Sequence, residues 1–149
     1  MGKDEAIEYL TEDEALKLVA TVPVGRVVYS RFAMPAVHLV NFRLDGQDVV
    51  FKTRKGAKFA AAVADTVVAF EVDEFDQDTR SGWTVTLTGR SKLVTSKAEQ
   101  ERLARLGVDP WIPDREYFIK VRTQVIAGRR IRPHELVGHD VDADGFAGA

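Results

Sequence analysis

The sequence predicts a mainly β protein, a small antiparallel barrel of about six strands with peripheral helices. Short apolar segments rich in β-branched and aromatic residues alternate with turn residues along most of the chain. Two of these segments flank Asp45–Gly46, a pair typical of a tight hairpin, and such short connections join antiparallel strands. No Gly-x-Gly-x-x-Gly pattern follows a predicted strand, so a doubly wound dinucleotide-binding fold is not expected.

The composition is that of a globular chain without a strong overall charge. Of the 149 residues, 45% are hydrophobic and 30% are charged, and the formal net charge is −2. These values favour one domain with a sizeable core, and they give no general attraction for nucleic acid. The absence of Cys excludes disulfides, thiol catalysis and Cys-ligated metals. No apolar run approaches the ~18 residues that would span a membrane, so a cytoplasmic protein is expected.

The first half of the chain is predicted to contain two helices and three strands. A capping box at Thr11 and Glu14 starts the first helix, and the Asp45–Gly46 turn joins the second strand to the third. The second helix is rich in alanine, with Phe59 and Val63 one turn apart. In chain order these elements are a helix at residues 11–21, strands at 25–30, 35–43 and 48–53, and a helix at 57–64.

The second half is predicted to contain three strands and one helix. The acidic residues 73–78 are expected to form a loop between the first two of these strands, and Gly89 is expected to bend the second. Ser96 and Glu99 form a capping box for the helix, which Gly107 ends. In chain order the elements are strands at residues 66–72 and 83–95, a helix at 96–106, and a strand from 117 to about 131.

The turn after the third strand is the strongest functional feature of the sequence. Lys52, Arg54, Lys55 and Lys58 lie within seven residues and no acid lies among them. Gly56 lets the backbone come close to a ligand, and the start of the following helix favours an anion. The pattern is consistent with two interpretations, a phosphate-binding site and a solvated basic turn.

Other residues give weaker functional indications. His38 is the only His in a predicted strand, and a lone His there is more often packed than catalytic. Trp83 begins a strand directly after the acidic segment, a position typical of a pocket rim or an interface. His134 and His139 lack a carboxylate cluster at metal-ligand spacing, and no Gly-x-Ser-x-Gly is present. Neither a metal site nor a hydrolytic triad is therefore predicted.

Several short patterns follow one another in a particular order. They are Pro35-x-Val37-x-x-x-Asn41-Phe42, Asp45-Gly46, Val50-Phe51-x-Thr53-x-x-Gly56-x-Lys58, Gly82-Trp83-Thr84-Val85-x-Leu87-x-Gly89-Arg90-Ser91-x-x-Val94 and Phe118-Ile119-Lys120-Val121. Their order and spacing resemble those of the pyridoxamine 5′-phosphate oxidase-like split-barrel flavoproteins. The resemblance covers about residues 8–132, nearly the whole chain.

The resemblance implies a six-stranded antiparallel split β-barrel of the FMN-binding type, forming a homodimer with two flavin sites at its interface. It implies a single flavin-binding domain at residues 1–132, and residues 133–149 are then a polar tail that is expected to be flexible. The implied activity is that of an oxidoreductase that transfers hydride or electrons to a small organic substrate. A non-catalytic flavin or deazaflavin carrier or sensor is the alternative. The implied cofactor is FMN, with a deazaflavin coenzyme as the alternative.

The resemblance also implies which residues contact the cofactor, although it names no catalytic residue. The strand along the flavin ring is represented by Val40, Asn41 and Phe42, and Trp83 matches a position that reaches the ring from the partner subunit. The phosphate-binding residues are Lys52, Thr53, Arg54, Lys55 and Lys58. Asn41 or Lys52 is placed to donate a hydrogen bond that tunes the flavin. Because Lys52 stands where the nitroimidazole-resistance branch has His, reduction of nitro drugs by that route is not favoured. Residues 129–134 match the substrate motif of true pyridoxamine phosphate oxidases only loosely, so oxidation of vitamin B6 is not favoured either.

Overall fold

The computed structural model describes residues 6–54 and 56–133, which contain seven β-strands and three α-helices. The strands are β1 (Ile7–Tyr9), β2 (Val24–Arg31), β3 (Met34–Asp45), β4 (Asp48–Thr53), β5 (Thr66–Asp76), β6 (Ser81–Leu93) and β7 (Tyr117–Ile131). The helices are α1 (Glu12–Val19), α2 (Lys58–Val63) and α3 (Lys97–Ala104). None of these helices is long and apolar enough to cross a membrane. The polar tail and its two His residues lie outside the described residues.

Six of the described strands close into a ring. Its order is β2, β3, β4, β7, β6 and β5, which returns to β2, and every neighbouring pair is antiparallel. The short strand β1 extends the sheet beside the end of β7, with Ile7 opposite Ile131. Closing the ring gives each of its six strands a paired neighbour on both sides. The predicted mainly β, six-stranded antiparallel split β-barrel is confirmed.

The interior of the ring is filled by aromatic and branched aliphatic side chains. Phe51, Phe70 and Leu87 are fully buried, and Phe42 packs edge-on against Phe70 with ring centroids 4.8 Å apart. Because successive strand residues point to opposite faces, Val50 on β4 faces outward, where it lies in a second apolar cluster with Leu103 of α3. Both faces of β4 are therefore covered, and the strand ends in a fixed position at the cationic turn.

The elements predicted from the sequence occur close to their expected bounds, with three differences. β5 continues to Asp76, so the first part of the predicted acidic loop is strand, and the turn is closed by N–H groups of Asp78 and Thr79 that donate to Asp76 Oδ1. β1 was not predicted, because three residues are too few to show a period and their strand conformation depends on pairing with β7. The Ser96 hydroxyl accepts from Glu99 N–H as a cap, but the Glu99 carboxylate accepts from Arg102 instead of completing the box.

The bend predicted at Gly89 is confirmed. The pairing of β6 with β7 shifts its register between Thr88 and Gly89, which is a β-bulge or a similar irregularity. The backbone carbonyl of Arg122 on β7 occupies the space that a side chain at position 89 would need. Glycine is therefore required here by the close approach of two backbones.

An ionic network fixes α3 to the hairpin between β3 and β4. Arg102 donates to Asp45 Oδ2 at 2.6 Å, and Lys120 Nζ donates to the same oxygen at 2.9 Å. The hydrogen bonds from Arg102 and then Lys120 hold the pKa of Asp45 well below its usual range. The bond from Arg102 likewise lowers the pKa of Glu99 to about 2.

We expect this network to make the stability of the fold depend on pH in the acid range. A carboxylate whose pKa is lower in the folded state contributes stability above its unfolded pKa of about 4, and that contribution is lost as the pH falls through the folded pKa. The free energy of unfolding should therefore decline from about pH 4 downwards. Asp45→Asn should cost about 1 kcal/mol at neutral pH and make the decline shallower, as measured by urea unfolding at several pH values. Asp78→Asn, in the exposed β5–β6 turn, should change neither the stability at neutral pH nor the steepness of its decline in acid.

Candidate functional site

A pocket of about 220 Å³ opens where β3, the end of β4, the start of α2 and the connector before β7 meet. Its cationic residues come from three of these segments: Lys52 lies near the end of β4, Arg54 and Lys58 flank the turn into α2, and Arg115 lies in the connector. Of the described residues that line the pocket, none is Asp or Glu. Since four cations share one concave site without a neutralising carboxylate, the site favours an anion.

The side-chain charges, rather than a helix dipole, account for this preference. α2 has only six residues, and its N-cap residue Ala57 makes no capping hydrogen bond through its side chain. Gly56 has a φ of 71°, which is the left-handed conformation that the turn requires. The described residues of this turn that line the pocket are Arg54, Ala57 and Lys58.

One wall of the pocket is aromatic. The His38 imidazole lies flat on the Phe59 ring, with centroids 3.9 Å apart and an interplanar angle of 8°. Phe59 in turn contacts Tyr29 of β2 and Phe51 of β4, which anchors the wall to the barrel core. Desolvation in the pocket and the charge of Arg115 lower the pKa of His38 below the usual value for histidine. Both effects favour the neutral form of the imidazole.

Asn41 ties the connector to the barrel. Its Oδ1 accepts a hydrogen bond from Trp111 N–H at 2.8 Å, and its Nδ2 donates to the Pro23 carbonyl at 3.3 Å. The connector thereby brings Ile112 and Arg115 to the pocket. Both polar ends of the Asn41 amide are engaged by backbone groups, so the structure gives this side chain a positioning role.

The structure brings six of the nine predicted cofactor residues to this pocket. They are Val40, Asn41, Lys52, Thr53, Arg54 and Lys58. Lys55 lies outside the described residues. Phe42 is only 2% exposed because strand alternation turns its side chain into the core. Trp83 is 7% exposed on β6, away from the pocket, and its expected contact with a partner subunit stays a prediction.

Seven further residues line the pocket, and the sequence does not indicate them as site residues. They are His38, Leu39, Ala57, Phe59, Pro110, Ile112 and Arg115. The sequence favours packing over catalysis for His38, and in the structure its ring does pack, against Phe59, while it also lines the pocket. The connector residues gave no local signal, because only the long-range bond between Asn41 and Trp111 brings that segment to the pocket.

We expect Asn41→Ala to loosen the connector without unfolding the barrel. The substitution leaves the Trp111 N–H without its acceptor and releases Ile112 and Arg115 from fixed positions. Limited proteolysis should cut within residues 107–116 faster than in the unchanged protein, and the emission of the exposed Trp111 should shift. Gln47→Ala is the matched control, since it removes a similar amide-to-backbone bond, to Thr123 O at 2.8 Å, from a distant hairpin. Equal cleavage of both variants would contradict the positioning role.

Comparisons with known proteins agree on the relationship of this chain. The family model described as pyridoxamine 5′-phosphate oxidase matches residues 11–140. The Mycobacterium tuberculosis protein Rv0080, which is uncharacterized, is 36% identical over 133 residues, covering 85% of this chain and 86% of that protein.

Two solved structures have the same fold as this chain, and each is 27% identical to it in sequence. A Corynebacterium glutamicum protein provisionally named a pyridoxamine 5′-phosphate oxidase superposes with a TM-score of 0.75 and 27% identity, covering 90% of this chain and 100% of that one. An FAD-binding protein from Mycobacterium smegmatis superposes with a TM-score of 0.73 and 27% identity, covering 83% of this chain and 98% of that one. This chain belongs to the pyridoxamine 5′-phosphate oxidase-like family.

Proposed function

We propose that this protein binds a flavin nucleotide, FMN or FAD, with the phosphate end of the ligand in the cationic pocket. The observation that carries the proposal is the set of four cations, Lys52, Arg54, Lys58 and Arg115, around a pocket whose described lining includes no carboxylate. The similarity to an FAD-binding protein from Mycobacterium smegmatis supports a flavin as the source of that phosphate.

The shape and chemistry of the site fit such a ligand. The cations would hold the phosphate by charge-assisted hydrogen bonds, and the strand from Leu39 to Asn41 would offer an apolar edge to the ring. Leu39 is 61% exposed, so this edge is open to a bound ring. A bound flavin supplies hydride or electron transfer, and the protein supplies binding, orientation and exclusion of water.

The finer proposal is that the protein is an oxidoreductase acting on a small organic substrate. Its rival is a carrier or sensor of a flavin or deazaflavin, and one observation favours the rival. The described residues that line the pocket contain no carboxylate that could form an acid–base pair with His38. Rapid mixing of flavin-loaded protein with reduced nicotinamide cofactors separates the two. Bleaching of the bound flavin supports the oxidoreductase, and an unchanged spectrum supports the carrier.

Ligand titration tests the binding proposal. Flavin fluorescence should be quenched at much lower concentrations of FMN or FAD than of riboflavin, which has the same ring but no phosphate. A deazaflavin coenzyme with a phosphorylated tail is a fourth arm of the titration and tests the alternative cofactor. Equal affinity for FMN and riboflavin would show that the phosphate does not contribute to binding, which contradicts the proposed phosphate site.

We further propose that the protein is a homodimer, because β3 presents an exposed apolar row beside the pocket. Val37 and Leu39, which lie two residues apart and so share one face of β3, are each 61% exposed. Burying such a row removes apolar surface from water. Light scattering should give twice the chain mass of 16.6 kDa, and Val37→Glu should reduce the mass to that of the monomer. Val125→Glu, at a 58% exposed site on β7, should leave the dimer intact.

A further inference from the structure

Among the described residues that line the pocket, His38 is the one titratable group without a fixed positive charge. One face of its ring lies on Phe59, and neither ring nitrogen has a hydrogen-bond partner among the described residues. A neutral imidazole offers one donor and one acceptor. The ring is thus held in place by stacking while its polar edge stays free for a ligand.

The charged side chains that line the pocket around His38, among the described residues, are all cations. They are Lys52 from β4, Arg54 from the following turn, Lys58 from α2 and Arg115 from the connector. On β2, Tyr29 contacts Phe59, the residue on which His38 stacks. A fifth positive charge in this setting is unfavourable as long as the pocket holds no anion.

We propose that His38 is part of the anion site and takes up a proton from solvent when a phosphate-bearing ligand binds, so that binding is coupled to pH. This inference rests on the proposed function of the pocket. A diphosphate or phosphate ester brings negative charge among the cations, which offsets their repulsion of a protonated imidazole. The new N–H bond gives the ring a second donor, and an imidazolium binds a phosphate oxygen more strongly than a neutral ring does.

The lowered pKa of free His38 agrees with this geometry. Desolvation and the Arg115 charge depress the pKa in the free protein, whereas a bound anion would raise it. The difference between the pKa of His38 in the free protein and its pKa in the complex determines how strongly binding depends on pH. Affinity can rise by up to about tenfold for each unit by which the bound ligand raises the pKa.

The test compares FAD binding to the unchanged protein and to His38→Gln between about pH 8 and about pH 5.5, a range centred near the usual histidine pKa. FAD is the probe because its diphosphate has no second ionisation near neutrality, whereas the FMN monoester titrates at a pKa of about 6. Glutamine keeps an N–H donor but does not titrate. Affinity should rise on acidification for the unchanged protein and stay level for His38→Gln.

A second measurement does not depend on any variant. Calorimetry of FAD binding at one pH, in two buffers of different ionisation enthalpy, counts the protons taken up. We expect net uptake for the unchanged protein, and no uptake for His38→Gln if that variant folds. FAD binding without proton uptake and with the same pH profile in both proteins would overturn the role of His38 alone. Failure of both FAD and FMN to bind at any pH would overturn the proposed function and this inference together.

Discussion

Arg54→Ala is expected to weaken FMN binding by about 1.5–3 kcal/mol, or roughly 10- to 150-fold in Kd, while leaving the fold intact. Arg54 is exposed in the turn after β4, so its removal leaves no cavity in the core. In the proposed complex it donates charge-assisted hydrogen bonds to the phosphate. Riboflavin has no phosphate, so its weaker binding should be almost unchanged by the substitution.

The matched control for Arg54→Ala is Arg122→Ala. Arg122 is an exposed cation on β7, near the opposite end of β4 from the pocket, so the control removes the same charge and the same side chain. FMN affinity should also fall with added salt in the unchanged protein, because the cations of the pocket are partly open to solvent. Equal losses for Arg54→Ala and Arg122→Ala would show that a general charge effect, rather than the pocket, governs binding.

Gly89→Ala is expected to be the most destabilising single-methyl change in the barrel, costing about 3 kcal/mol or more in unfolding free energy. The added Cβ would meet the carbonyl oxygen of Arg122 and also lie 2.9 Å from the Cα of Thr123. These are backbone atoms of the paired strand, and they cannot rotate away as a side chain can. The β6–β7 pairing would have to separate at the bulge, and thermal unfolding should show a large fall in Tm.

Gly128→Ala is the control for Gly89→Ala. Gly128 lies on the neighbouring strand β7, but a Cβ there meets only side-chain atoms, with Leu10 and Val85 at 3.1 Å and Ala15 at 3.4 Å. These side chains can shift by a few tenths of an ångström, so the change should cost less than about 1 kcal/mol. Comparable losses for the two variants would contradict the explanation based on backbone approach.

Much of the fold could be predicted because its local signals agree with its tertiary contacts. Asp45–Gly46 gives the hairpin, Thr11 and Glu14 give a complete capping box, and Gly89 marks the bulge. The strand segments that the sequence does not predict depend on tertiary pairing, not on a local signal. β1 is strand only because β7 pairs with it, and the acidic end of β5 is strand because β6 continues beside it.

The candidate site could be predicted in part for the same reason. Its cations are adjacent in the sequence around one turn, so composition alone reveals them. The aromatic wall and the connector depend on distant contacts, between His38 and Phe59 and between Asn41 and Trp111. No local pattern encodes such contacts. Phe42 is the opposite case. Its position next to Asn41 predicts a site residue, but strand alternation turns its side chain into the core.

The most direct test of phosphate binding in the cationic pocket is a crystal structure of this protein grown with FMN. We expect the phosphate to lie within hydrogen-bond distance, about 3 Å, of the side chains of Lys52, Arg54 or Lys58, with His38 at the same pocket. The flavin ring is predicted to lie along β3 between Leu39 and Asn41. A phosphate bound elsewhere, for example in the groove beside Tyr9 and Arg129, with the cationic pocket holding no part of the ligand, would contradict the account.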